Sequence, residues 1–272
     1  MSKVLLGSIA ALISAVAWAY GSILFRKLTE KVSPVALTLI KSVIGMFYIG
    51  ALLAFLGREK IVWSSVFNLA LSGLVGIALG DTLFFKSLFY LGPRLAILLG
   101  ATGPVFTVVL AVLILKESIS RITGIGIAMV ISGVTWVLWE RENSPLGVQG
   151  KAKGVIYALI SSLCMSIGII FAKEGLGAVS ALQATFIRLM FGALGLFFWG
   201  IATRQIGPWL MPLKDPKLLR FIFFSVFVVI FGGFWLFLVA LKYIDASIAV
   251  TLNSTTPLFI LPLAVWIMKE KI

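Results

Sequence analysis

The chain repeats itself. Residues Leu88–Glu117, LFYLGPRLAILLGATGPVFTVVLAVLILKE, return as Leu241–Glu270, LKYIDASIAVTLNSTTPLFILPLAVWIMKE, at an offset of 153, with 13 of 30 positions identical. The identities include Tyr90/Tyr243, Thr102/Thr255, Pro104/Pro257, Phe106/Phe259 and the closing Lys-Glu pair. At an offset of 147, Gly7–Gly45 matches Gly154–Gly192 at 13 of 39 positions, pairing Val32-Ser33 with Val179-Ser180 and Lys41 with Arg188. Ungapped matches of that quality are hard to obtain from hydrophobic composition alone. The fold must therefore be one that two copies of a single unit can build.

The unit is made for lipid. Apolar runs of 18 or more residues recur from end to end, each long enough to cross about 30 Å of hydrocarbon as a helix. Only 12% of residues are charged, against about 25% in soluble domains, and the short alternating segments of a membrane barrel are absent. An all-α polytopic membrane protein is expected, with the lipid bilayer as its solvent. A net charge of +13 would suggest nucleic acid for a soluble protein. Here most Lys and Arg stand at the ends of apolar runs, where they anchor helices, and no nucleic-acid partner is expected. Cys164 is alone and there is no His. That removes intramolecular disulfides, cysteine metal clusters, histidine relays and His-containing triads, and no cofactor or metal is expected. The N-terminal run is too long for a signal-peptide core and has an internal counterpart, so it reads as a mature helix.

Nine spans can be drawn, at roughly 4–25, 34–56, 65–89, 94–115, 121–139, 154–172, 181–202, 219–241 and 246–268. The polar segment 141–153 is the natural linker between a first unit, 1–140, and a second, 154–272. Each unit then holds five helices. Because five is odd, the second copy enters the membrane upside down, and the plan is two inverted five-helix repeats with a site near the midplane between them. The chain stops at Ile272, where the first copy goes on to a fifth helix, so one helix of a ten-helix plan is expected to be missing. Lys and Arg are more numerous on the side opposite the N-terminus, which by the positive-inside rule places the N-terminus outside.

The doubled five-helix plan, with a Tyr-x5-Ala…Pro-x-Phe…Lys-Glu pattern closing each fourth helix, resembles the drug/metabolite transporter superfamily, specifically its EamA-type transporters. The likeness rests mainly on residues 88–117 and 241–270 and covers nearly the whole chain. It implies a ten-helix basket around a central cavity that moves small metabolites, often amino acids, without an ATPase domain. For orientation it suggests termini inside, against the charge count.

Ionisable groups at membrane depth are functional candidates by default. Lys41 lies about 10 Å into the second span, counted from Pro34 at 1.5 Å per residue. Asp81 and Lys86 stand in the second half of the third span, which runs the opposite way, so Asp81 can meet Lys41. The pair either serves substrate or protons, or merely neutralises itself. Arg188 is the second-copy equivalent of Lys41, but Phe234 occupies the position matching Asp81. An unpaired guanidinium suits a carboxylate or phosphate; helix-end carbonyls or lipid phosphate are the alternatives. Pro104 and Pro257 lack an N–H, free the carbonyls of Gly100 and Asn253, and are expected to kink their helices beside the cavity. Thr102, Asn253, Ser254 and Thr255 add polar groups there, either for substrate or to repair the kinks. Trp18, deep in the first span, is a further cavity candidate. Gly76, Gly80, Gly124, Gly126 and Gly133 read as helix-packing positions.

The expectation is a secondary transporter, exporting a small polar metabolite, with protons as the candidate coupling ion. A multidrug/proton antiporter would want an acid in the first span, which has none. An aspartyl intramembrane protease needs two membrane carboxylates, and Asp81 has no second. A lipid-modifying enzyme lacks a visible acidic cluster. The absence of a Walker motif argues against ATP-driven pumping.

Overall fold

The computed structural model describes residues 2–56, 62–117, 124–126, 128–129, 132 and 148–268, and among them there are helices and no strands. In hydrocarbon this is the expected answer, because a helix satisfies its own backbone groups. The first copy gives α1 (Lys3–Thr29), α2 (Pro34–Leu56), α3 (Trp63–Ser72), α4 (Thr82–Gly100) and α5 (Gly103–Leu110). The second gives α6 (Val148–Gly175), α7 (Ala181–Ala202), the short α8 (Ile206–Leu210), α9 (Pro216–Phe227), α10 (Leu236–Tyr243), α11 (Ala246–Asn253) and α12 (Thr256–Met268). Six helical stretches among the described residues are long and apolar enough to cross a membrane. This is a multi-pass membrane protein. Val148–Lys153, expected in the linker, form the first turns of α6; the rest of the linker and most of the expected fifth span lie outside the described residues.

Helix starts follow the sequence. Ser33 precedes Pro34 and accepts from the Ala36 N–H at 3.4 Å. Its counterpart Ser180 forms a reciprocal capping box with Gln183. The interruptions are less legible. Two π-helical segments, Gly73–Asp81 and Val228–Trp235, occupy corresponding places in the two copies. Gly92, at φ 75°, divides α4 immediately before Pro93, separating the expected third and fourth spans. At the two repeated prolines the chain does more than kink. The helix ends at Gly100 and restarts at Gly103, and in the second copy it ends at Asn253 and restarts at Thr256.

Contacts come in matched pairs. The Ser14 hydroxyl donates to the Gly233 carbonyl at 2.9 Å, and Ser161, 147 residues on, donates to Gly80, 153 residues back, at 2.8 Å. Trp18 lies against Gly233 as Met165 lies against Gly80. Gly45 meets Ile230 as Gly192 meets Ile77, and Gly7 meets Tyr243 and Ile244 as Gly154 meets Tyr90 and Leu91. Within each copy, Arg26 donates to the Phe89 carbonyl at 2.8 Å and Lys173 to that of Leu241 at 2.8 Å.

Backbone approaches backbone closely where Gly168 on α6 meets Gly76: a Cβ on Gly168 would stand 2.7 Å from the Gly76 Cα. Small residues permit such backbone approach in lipid, where packing rather than the hydrophobic effect holds helices together. Gly80 likewise packs on Met165. A Cβ built on Gly124 or Gly126 would meet no other described element within 4 Å, so the close packing expected of them is not found among the described residues; Gly133 lies outside the described residues. Large apolar side chains such as Phe47, Phe55 and Leu258 face outward, as a surface solvated by lipid allows.

The Lys-Glu ending of the first repeated stretch has a structural use. Lys116 turns the chain in the left-handed region, φ 57°, and the Glu117 carboxylate caps α11. It accepts from the backbone N–H groups of Ala246 and Ser247 at 2.9 and 3.1 Å and from the Ser247 hydroxyl at 2.7 Å. Asp245, the residue placed to cap α11, makes no side-chain cap bond. Removing this anion from a helix N-terminus in Glu117→Ala is expected to destabilise by about 1–3 kcal/mol. The thermal midpoint in detergent should fall, with Glu117→Gln between the two.

Candidate functional site

A cavity of about 180 Å³ sits where the two helix breaks, the π-helical segments Gly73–Asp81 and Val228–Trp235, and α1, α6 and α7 converge. Much of its wall comes from places where regular helix geometry is interrupted. The breaks supply Gly100, Ala101, Gly103 and Pro104 from one copy and Asn253, Ser254, Thr256 and Pro257 from the other. The π-helical segments supply Asp81 and Phe234. Such widened turns often mark functional positions, because the slipped ladder re-aims a side chain. Here it carries Asp81 inward.

Lys41 and Asp81 form the ion pair that their depths suggested. Lys41 is fully enclosed, with its ammonium 4.4 Å from the Phe234 ring centroid and 5.6 Å from that of Phe85. It does not line the cavity; Asp81 does. Lys41 therefore stands behind Asp81 and anchors it, rather than facing the cavity as expected of a substrate ligand. Arg188 does line the cavity, is 6% exposed, and makes no hydrogen bond or ion pair with another described residue. Its Nε is buried without a partner. Asp81 acts on it only through space. Neither helix-end carbonyls nor a lipid phosphate at the bilayer surface fits that placement.

Asn253 lines the cavity with its Oδ1 buried and unpartnered, and so does Thr107 with its Oγ1. The serines of α6 are differently placed. Ser161, Ser162 and Ser166 reach the wall, but their hydroxyls donate to the carbonyls of Gly80, Ala158, Ser162 and Gly103. Thr102 and Thr255, expected as substrate contacts, are not among the lining residues. Their hydroxyls donate to the carbonyls of Leu99 and Leu252 at 2.7 and 2.8 Å. Thr256 does the same for the freed Asn253 carbonyl at 2.6 Å. The repair role is the one these hydroxyls fill. Trp18 lines the cavity, 5.1 Å from Phe234 and 6.3 Å from Phe84 between ring centroids. Thr107, Phe84 and the α6 serines escaped sequence reasoning. The signal for Thr107 was a polar residue three positions after a repeated proline; for Ser161 it was identity with Ser14 across copies. Lys86 points away, over the Tyr157 ring at 5.2 Å.

A polytopic helical membrane protein with an interior cavity, holding one unpartnered guanidinium and two further unsatisfied polar atoms, belongs to the class that handles solutes within the bilayer. Comparison with known proteins narrows the class. The profile of the EamA-like transporter family matches residues 5–139 and again 152–272. An uncharacterised transporter of Clostridium kluyveri is 24% identical over 217 residues, 79% of this chain and 68% of that one. Protein LicB of Haemophilus influenzae is 26% identical over 195 residues, 70% of this chain and 65% of that one. An uncharacterised transporter of Archaeoglobus fulgidus is 23% identical over 267 residues, covering 96% of this chain and 89% of that one. A solved crystal structure shares the fold, with a TM-score of 0.69 at 18% identity, covering 99% of this chain and 89% of that one. The chain belongs to the EamA-like transporter family, as its resemblance to the drug/metabolite transporters led us to expect.

Proposed function

We propose that the protein is a secondary transporter of the cell membrane that exports a small polar metabolite, such as an amino acid, by alternating access between two inverted repeats, 1–140 and 154–272. The observation that carries this reading is the set of contacts exchanged between copies, some of which, at Trp18, Ser161 and Met165, stand at the cavity wall. A residue of copy one touching a residue of copy two, matched by their counterparts in reverse, is the signature of a two-fold relation. Five spans in the first copy, an odd number, turn that relation into inversion. The two separate family matches, divided between residues 139 and 152, fit the same boundary.

A cavity of about 180 Å³, smaller than the roughly 300–1,000 Å³ of drug-sized sites, suits a small metabolite. Arg188, Asn253, Trp18 and Asp81 are the substrate-facing residues in this reading, and Asp81 is the candidate carrier of a coupling proton. The test is uptake into proteoliposomes, screened across amino acids, nucleosides and organic anions. Arg188→Ala should abolish uptake of the transported solute while leaving the protein folded. Uptake at the parent rate would reject the assignment of Arg188.

A further inference from the structure

We infer that the cavity selects anionic solutes, and that the residue setting this selectivity is Phe234, through the charge it withholds. The inference rests on the reading of the cavity as the substrate site and names the charge class that site takes. Lys41 and Arg188 are counterparts across the copies, and so are Asp81 and Phe234. Three of these four carry charge, two positive and one negative. The Lys41–Asp81 pair neutralises itself. Phe234 gives its ring face to Lys41 and supplies no carboxylate, so Arg188 has no bonded carboxylate among the described residues and feels Asp81, already paired with Lys41, only through space.

A buried guanidinium without a bonded counter-ion is costly. Its Nε is unsatisfied at a cavity wall, and an entering carboxylate or phosphate relieves both deficits. The same excess positive charge disfavours a solute whose only charge is an ammonium. Asn253 Oδ1, on the wall supplied by the second helix break, is an acceptor without a donor. A hydroxyl or amino group borne by the anion would satisfy it.

The test measures ligand protection against thermal unfolding of the purified full chain. The probes are lactate, glycerol phosphate, isopropanolamine and propylene glycol, which share a three-carbon frame and differ in charge. For the parent protein, lactate or glycerol phosphate should raise the melting temperature, while isopropanolamine and propylene glycol should not. Phe234→Leu, which changes the ring but adds no charge, should respond to the anions more strongly than Phe234→Glu. Phe234→Glu and Arg188→Gln should weaken the anion response about tenfold or more. The inference is overturned if the amine or the diol protects as well as the anions, if the anion response survives in Phe234→Glu, or if neither anion protects. A failure of the transport reading is separate and would be seen as absence of uptake for every solute screened. Uptake of a cation or a neutral solute through this cavity would leave transport standing and sink the charge selection.

Discussion

Asp81→Asn should be among the most damaging single substitutions in this protein. It leaves the Lys41 ammonium, 0% exposed, between aromatic rings and without the carboxylate that now holds it. Breaking one partner of a buried pair costs about 3–5 kcal/mol, because the desolvation of the remaining charge is no longer offset. Removing both charges is a different experiment. Lys41→Met combined with Asp81→Leu should return stability to within about 1 kcal/mol of the parent, since apolar replacements of a buried pair are often neutral or better. Denaturation of the three proteins in the same detergent checks this. A double variant as unstable as the single one would show that the pair is not the cause. The double variant also tests proton coupling without the folding defect. If Asp81 carries the coupling proton, transport by the double variant should no longer respond to a pH gradient.

The second large effect is expected at Gly168→Leu. The new Cβ would stand 2.7 Å from the Gly76 Cα and 3.1 Å from the Gly76 nitrogen, both backbone atoms that cannot rotate aside. The clash falls on the π-helical segment that carries Asp81 and on the α6 turn beneath the cavity wall. A loss of about 3 kcal/mol is expected from overpacking, together with loss of transport. Gly207→Leu is the control, because nothing lies within 4 Å of that position. Equal melting temperatures for the two variants would contradict the close approach.

Much of this site was readable in the sequence, and what was not has physical causes. The Lys41–Asp81 pair follows from counting helical rise along two antiparallel spans, which brings an acid and a base to similar depth. The helix breaks follow from prolines repeated at one offset. The alignment already set Phe234 opposite Asp81, yet an apolar residue in an apolar run carries no mark of importance. Its role becomes visible only with the Lys41 ammonium over its ring. The π-helical segments leave no signature either. A slipped hydrogen-bond ladder inside nine mostly apolar residues disturbs no periodicity that composition can report. Thr102 and Thr255 misled in the opposite sense. Their identity across copies reflects the shared need to tie off a broken helix end, not shared contact with solute.

The exchanged contacts also govern the order in which the chain can mature. The partner of Ser14 is Gly233, 219 residues later, and Gly7 waits for Tyr243 and Ile244. During synthesis, the face of α1 that seats these residues has no mate until α10 has entered the bilayer. Lipid, or an insertion factor holding the nascent helices, must shelter that face through most of translation. A chain released before residue 233 would strand α1 with its docking face bare, and the cell's quality-control proteases would meet it in that form.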